Sequence, residues 1–296
     1  MTPTRSNLLA AFLGALALAG CSETPQELLP DTNPLVFEIT SEDGTVEGWM
    51  LGTIHALPDG AEWRTEAVQQ VVDQADYLIV EIAALDDSAA IGRTFNELAT
   101  SPGQPALTQR VDPGLRPALR EIIERSNRSE SDFSAVETWA AALIIARVAA
   151  TGDPANGVDR AVTRDFAERG VREFEGALAQ LSIFDSLSED DQRDLLEGVI
   201  LEVEQTLKRP GRLRNAWLKG DTEILEEATR TGIMADPELR EALIVRRNRR
   251  WADMLESDLK AAPRPLIAVG TGHMVGAHSL VTMLEERGYR VTRLGQ

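Results

Sequence analysis

The 296-residue chain is 43% hydrophobic, carries a formal charge of −18 and has a single cysteine. A surface this acidic repels phosphate backbones and anionic headgroups, which excludes nucleic-acid binding and attachment to a bilayer through a basic patch. With no second cysteine there is no intramolecular disulfide, so an exported domain of this length must be held by its hydrophobic core.

The chain opens as an export signal. Arg5 precedes an apolar run from Leu8 to Leu18, too short to span a bilayer, and Leu18-Ala19-Gly20 stands immediately before Cys21. That ending resembles a bacterial lipobox: residues 1–20 would be removed, Cys21 lipidated, and residues 21–33 would tether a domain covering 34–296. Ser22 after the cysteine implies the outer membrane, facing the periplasm.

Leu35 to Thr40 and Thr45 to Ile54 are rich in β-formers and flank Ser41-Glu42-Asp43-Gly44, which predicts a hairpin ending at His55. Val68, Val71, Val72 and Ala75 recur at helical spacing, and Tyr77 to Ile82 reads as a buried strand containing Glu81. Strand, helix and strand predict a crossover unit with a parallel pair. Helices then fill the middle. Ser134 and Glu137 read as a capping box ahead of Trp139, Gly157-Val158-Asp159 opens another helix, and Val171 to Phe174 is a short candidate strand. Ser188 caps a helix with Leu195, Leu196, Val199, Ile200 and Val203 inward, and Asp236-Pro237 starts one reaching Leu259. Leu266 to Val269 is a buried strand ending in Gly270-Thr271-Gly272-His273. A helix from Ala277 to Arg287 and a strand from Tyr289 to Leu294 close the chain. The pattern is α/β: a mixed, mainly parallel central sheet formed by the N- and C-terminal segments, with a helical insertion over about 85–235.

Two of the three histidines share one arrangement, Gly52-Thr53-Ile54-His55 and Gly270-Thr271-Gly272-His273, each directly after an apolar strand. Ligands bind at the carboxyl ends of strands in open α/β sheets, and Gly52, Gly270 and Gly272 would let the backbone approach one. Glu81, in a strand buried on both faces, needs a partner or a metal. His55, Glu81 and His273 could hold a divalent ion such as zinc, manganese or cobalt with an open position for water. Glu81 would be ligand or general base, and metal-free chemistry with a histidine as base stays open. Leu243, Arg247, Trp251 and Met254 place an arginine on an apolar stripe, where Arg247 would neutralise Glu81 or hold an anion, with Asn248 adding a hydrogen bond. His278 reads as a surface or capping residue.

Leu51-Gly52-Thr53-Ile54-His55, Val80-Glu81, Gly157-Val158-Asp159, Phe184-Asp185-Ser186-Leu187, Arg247-Asn248 with Trp251, and Val269-Gly270-Thr271-Gly272-His273 followed by Gly288-Tyr289-Arg290-Val291 occur in an order that resembles the TraB/GumN family from about Leu35 to Leu294. That family is similar to the membrane-tethered Tiki metalloproteases and, more distantly, to the erythromycin esterase and haem-binding ChaN proteins. The resemblance implies a metal-dependent hydrolase, a peptidase above all, with His55, Glu81 and His273 at its centre and Arg247 and Asn248 contacting substrate. The alternative is a non-catalytic protein capturing a peptide, a haem or a signal molecule in the same cleft.

Overall fold

The computed structural model describes residues 29–260 and 262–295. The leader, Cys21 and most of the tether lie outside them. The last residues of the expected tether are docked: Leu29 packs on the core, and the Asn33 N–H donates to Leu218 O at 2.6 Å. No helix among the described residues is long and apolar enough to cross a membrane.

Six strands form one sheet: β1 (Val36–Thr40), β2 (Val46–Thr53), β3 (Tyr77–Val80), β4 (Val171–Glu173), β5 (Pro265–Gly270) and β6 (Arg290–Arg293), in the order β4-β3-β5-β2-β1-β6. The first four in that order run parallel, and β1 pairs antiparallel with β2 and β6. The predicted hairpin is β1–β2. The crossover through α1 (Glu66–Gln74) does join parallel strands, but β5 lies between them. Both chain ends are therefore needed to complete the centre of the sheet.

Period-2 burial explains why the central strands read as continuous apolar runs. Leu78, Val80, Leu266 and Ala268 face one core, and Ile79, Ile267 and Val269 face another. The helices continue as α2 (Ser88–Ala99), α3 (Arg116–Arg125), α4 (Thr138–Ala146), α5 (Val158–Asp165), α6 (Gly176–Asp185), α7 (Glu189–Lys208), α8 (Arg212–Lys219), α9 (Thr222–Ala228), α10 (Pro237–Arg240), α11 (Arg246–Asp258) and α12 (Leu280–Glu285). Residues of α1, α5 and α8 close the first core, and α11 and α12 the second. A third core, within the long middle segment, joins α2, α3, α4, α6, α7 and α10. The insertion is thus helical apart from β4, and α5 and α8 inside it pack on the sheet.

Several local expectations are corrected. The capping box is Ser129 with Asp132, ahead of a short 3-10 turn, because the Ser134 hydroxyl is spent on Ser131 O at 2.8 Å. The α4 start is instead satisfied from a distance, where Gln192 Oε1 accepts the Trp139 N–H at 3.0 Å. The last helix is shorter than expected, capped by Ser279, with His278 exposed just before it. Met254 leaves the apolar stripe at 40% exposed and Leu255 takes its place, keeping a steady spacing of four from Leu243 through Arg247 and Trp251. Asp236 caps α10 as read from the sequence, and a π-helical turn, Glu241–Val245, joins α10 to α11 immediately before Arg246 and Arg247.

Candidate functional site

The four parallel strands end side by side, and each delivers one ionisable side chain just past its last residue. In sheet order these are Glu175 after β4, Glu81 after β3, His273 after β5 and His55 after β2. The two Gly-Thr-x-His turns are tied together: the Thr271 hydroxyl donates to Thr53 O at 3.1 Å. A Cβ on Gly52 would stand 2.7 Å from that hydroxyl oxygen, which is why a glycine occupies this position. The Trp217 indole N–H holds Gly52 O at 3.0 Å from the opposite layer.

Arg247 lies over three members of the row. Its Nη2 donates to Glu81 Oε2 at 2.7 Å and its Nε to Glu175 Oε2 at 2.9 Å, while Nη1 stands 3.2 Å from both Leu243 O and His273 Nε2. Arg250 reaches Glu175 Oε1 at 2.5 Å from the rim. The other Glu81 oxygen accepts the Gly270 N–H at 2.8 Å, and a Cβ on Gly270 would press to 3.2 Å from it. Asn248 is fully buried and spans the His273 turn. Its Nδ2 donates to His273 O at 3.2 Å and His278 O at 2.8 Å, leaving Oδ1 to accept from His273 Nδ1 at 2.6 Å. That hydrogen bond fixes the His273 proton on Nδ1 and turns the Nε2 lone pair towards Arg247. The ring packs on Trp251, centroids 4.5 Å apart, and Trp251 stacks in turn on Phe174.

His55 has a different setting. Its ring is 73% exposed, and Nδ1 lies 2.5 Å from Asp159 Oδ2. Gly157-Val158-Asp159 builds this contact. The Val158 N–H, opening α5, donates to Ile54 O at 2.9 Å and so anchors the loop that carries His55. A Cβ on Gly157 would sit 2.5 Å from His55 O, so only glycine allows α5 to approach this closely. Among the described residues His55 Nε2 has no hydrogen-bond partner, and most of the side chain is open to solvent.

These settings drive the two imidazoles apart. The hydrogen bond that His55 Nδ1 donates to Asp159, with the charges of Asp159 and Glu81, pushes His55 up from its ordinary value. Burial holds His273 down at about 4; Glu81 opposes the shift and Arg247 assists it. Burial also pushes the Glu81 carboxyl up, but the charges of protonated His273 and of Arg247, with the hydrogen bonds from Gly270 and Arg247, outweigh it and hold it down at about 2. At neutral pH the buried row therefore contains ionised Glu81 and neutral His273.

The low His273 value has a consequence for stability. Between about 4 and 6.5 the unfolded chain binds a proton there that the folded chain does not, so the contribution is complete above 6.5 and lost as pH falls towards 4. Urea unfolding should show the stability gap between wild type and His273→Gln shrinking by about 1.4 kcal/mol per pH unit across that window. A gap that stays constant with pH would contradict this.

Of the sequence-predicted residues, Glu81, His273, Arg247 and Asn248 meet, while His55 stands at the next strand end with Asp159 as its partner, and the set is not an ion cage. Both Glu81 oxygens are engaged, His273 Nε2 faces a guanidinium, and among the described residues no group of three His, Cys, Asp or Glu side chains is gathered to hold a metal. The donor set does not fit a divalent ion while Arg247 sits between Glu81 and His273. Arg247 is 5% exposed with every one of its nitrogens partnered, and Asn248 is buried, so in this structure both brace the strand ends. Gly270 serves Glu81, while Gly272 has nothing nearer than 4.0 Å to a Cβ and is under no such constraint. Sequence reasoning gave no site role to Asp159 or Glu175. The signal for Asp159 was Gly157, a glycine opening a helix one residue before a valine with an acid next. For Glu175 it was an acid just beyond a short strand.

Searches of curated proteins and of solved structures return no match to this chain. A family-wide sequence profile, that of the TraB/PrgY/gumN family, matches residues 35–293, which covers every strand of the sheet and every member of the charged row. The chain belongs to the TraB/PrgY/gumN family.

Proposed function

We propose that this protein is a hydrolase of the cell envelope, held by lipid on Cys21 at the periplasmic face of the outer membrane, in which His55 oriented by Asp159 acts as general base. One observation carries the reading: of the two imidazoles in the row, only His55 has a free ring nitrogen and access to water, and a carboxylate fixes its other nitrogen. Nε2 takes a proton from water as that water attacks a carbonyl. Asp159 stabilises the imidazolium, and the same nitrogen returns the proton to the leaving group. Arg247, Glu81, Glu175 and His273 keep the strand ends rigid behind it. A peptide bond is the expected substrate, from the family resemblance.

A divalent-metal hydrolase on His55, Glu81 and His273 is the second reading, favoured by the open Nε2 of His55 and by its being close enough to feel the charge of Glu81. It requires Arg247 to release the other two residues. Zinc, manganese or cobalt bound there would polarise a carbonyl or acidify water. Metal analysis and a chelator separate the two. The first reading expects hydrolysis of a peptide library that survives chelation and is lost in His55→Ala. An ion near one equivalent, lost in both His55→Ala and His273→Ala, would overturn it in favour of the second. Saturable peptide binding without product would overturn both and leave a capture protein.

A further inference from the structure

A groove of about 830 Å³ opens beside the charged row, between α6 and the continuous helix from Pro237 to Arg250. One wall is a single stripe of α6 and the turn after it, formed by Ala179, Ile183 and Leu187 with Ser182 and Ser186 between them. The two serines add little polarity, because their hydroxyls are spent on Leu178 O and Ile183 O at 2.8 and 2.9 Å. The facing wall is charged and graded. Glu238 stands at the end away from the row, Glu241 in the middle is tied to Arg249 at 2.7 Å, and Arg246 and Arg250 stand at the row's end. Arg250 shares Glu175 with Arg247, which makes the groove continuous with the site. Arg246 is exposed and has no carboxylate partner among the described residues, in a chain whose net charge is −18.

We infer that this groove binds an extended polypeptide segment, with apolar side chains against α6 and an acidic side chain paired with Arg246 beside the row. Two opposed walls of different polarity suit a strand, whose successive side chains point to opposite faces. Pro237 to Arg250 spans roughly 20 Å of helix at 1.5 Å per residue, which accommodates about six extended residues at 3.3 Å each. Asp191, Glu238 and Glu241 line the groove beside Arg246 and Arg250, so a phosphate run laid along it would meet three carboxylates, whereas a peptide with a single acidic side chain at the arginine end meets none. The inference rests on the hydrolytic reading only in calling the segment a substrate, since binding itself needs no turnover.

The test uses the full chain with His55→Ala, to prevent cleavage, and two fluorescent hexapeptides with blocked termini, alternating leucine and serine between a lysine at one end and either glutamate or glutamine at the other. Anisotropy titration should show the glutamate peptide binding up to about fivefold more tightly, as one well-placed exposed ion pair supplies. Arg246→Glu, at an exposed position, should reverse that preference without lowering the thermal midpoint, and Ile183→Asp should weaken both peptides. Equal affinity for the two peptides in the parent, or a preference untouched by Arg246→Glu, overturns the inference. If hydrolysis by the His55-containing protein persists in that case, the hydrolytic reading stands and the groove assignment alone fails.

Discussion

Replacing Arg247 with methionine should lower the unfolding free energy by about 3–5 kcal/mol, the cost of stranding buried charge when one partner of a buried ion pair is removed. Glu81 and Glu175 have side chains only 13% and 6% exposed, and Arg247 is the cation between them. Arg250 still reaches Glu175 from the rim, so Glu81 bears most of the loss. Arg247→Lys should recover part of it, since one ammonium restores the charge but cannot span Glu81, Glu175 and Leu243 O with a planar fork. The double change Arg247→Met with Glu81→Gln should be more stable than Arg247→Met alone, because it removes the uncompensated anion. Chemical denaturation of the four proteins at neutral pH measures this. Equal stability of Arg247→Met and wild type would mean that the charged row does not hold the strand ends.

The second large effect is on turnover. His55→Ala should reduce kcat by about 10²- to 10⁴-fold, the range a positioned general base contributes. Its effect on stability should be small, because the ring is exposed. Asp159→Asn removes the interaction that raises the His55 pKa. Activity requires neutral imidazole, so it should rise with pH through a limb above 6.5 in wild type, and that limb should move to lower pH in Asp159→Asn while the plateau falls. Wild-type and Asp159→Asn profiles with the same midpoint would remove Asp159 from the mechanism.

Much of this arrangement is written in local sequence. The continuous apolar runs of β3 and β5 mark strands buried on both faces, and the repeated Gly-Thr-x-His turn marks two equivalent strand ends, so His55, Glu81 and His273 are legible as neighbours before any fold is known. Arg247 is legible as their counterion, because an arginine on an apolar stripe demands an anion. What they do together is less legible. Whether Arg247 spends its donors on Glu81 or leaves that carboxylate open depends on the π-helical turn before it and on Glu175, which arrives from a three-residue strand with little periodicity to show. Asp159 was hidden for a similar reason. Its contact with His55 spans 104 residues and depends on the absence of a Cβ at Gly157. The misplaced capping box arose because Ser134 has the right spacing but a nearer acceptor. Met254 was misplaced because three- and four-residue steps both fit a short apolar stripe until packing selects one.

One fold gives two imidazoles opposite fates, His55 wet and basic, His273 dry and neutral. Long-range ¹H–¹⁵N NMR of the histidine rings in the full chain, followed from pH 8 to 4, tests it most directly. One ring should titrate above 6.5 and lose that elevation in Asp159→Asn. A second ring, absent in His273→Gln, should hold its proton on Nδ1 and stay neutral until about pH 4. Two site rings that titrate together near 6.5 would contradict it.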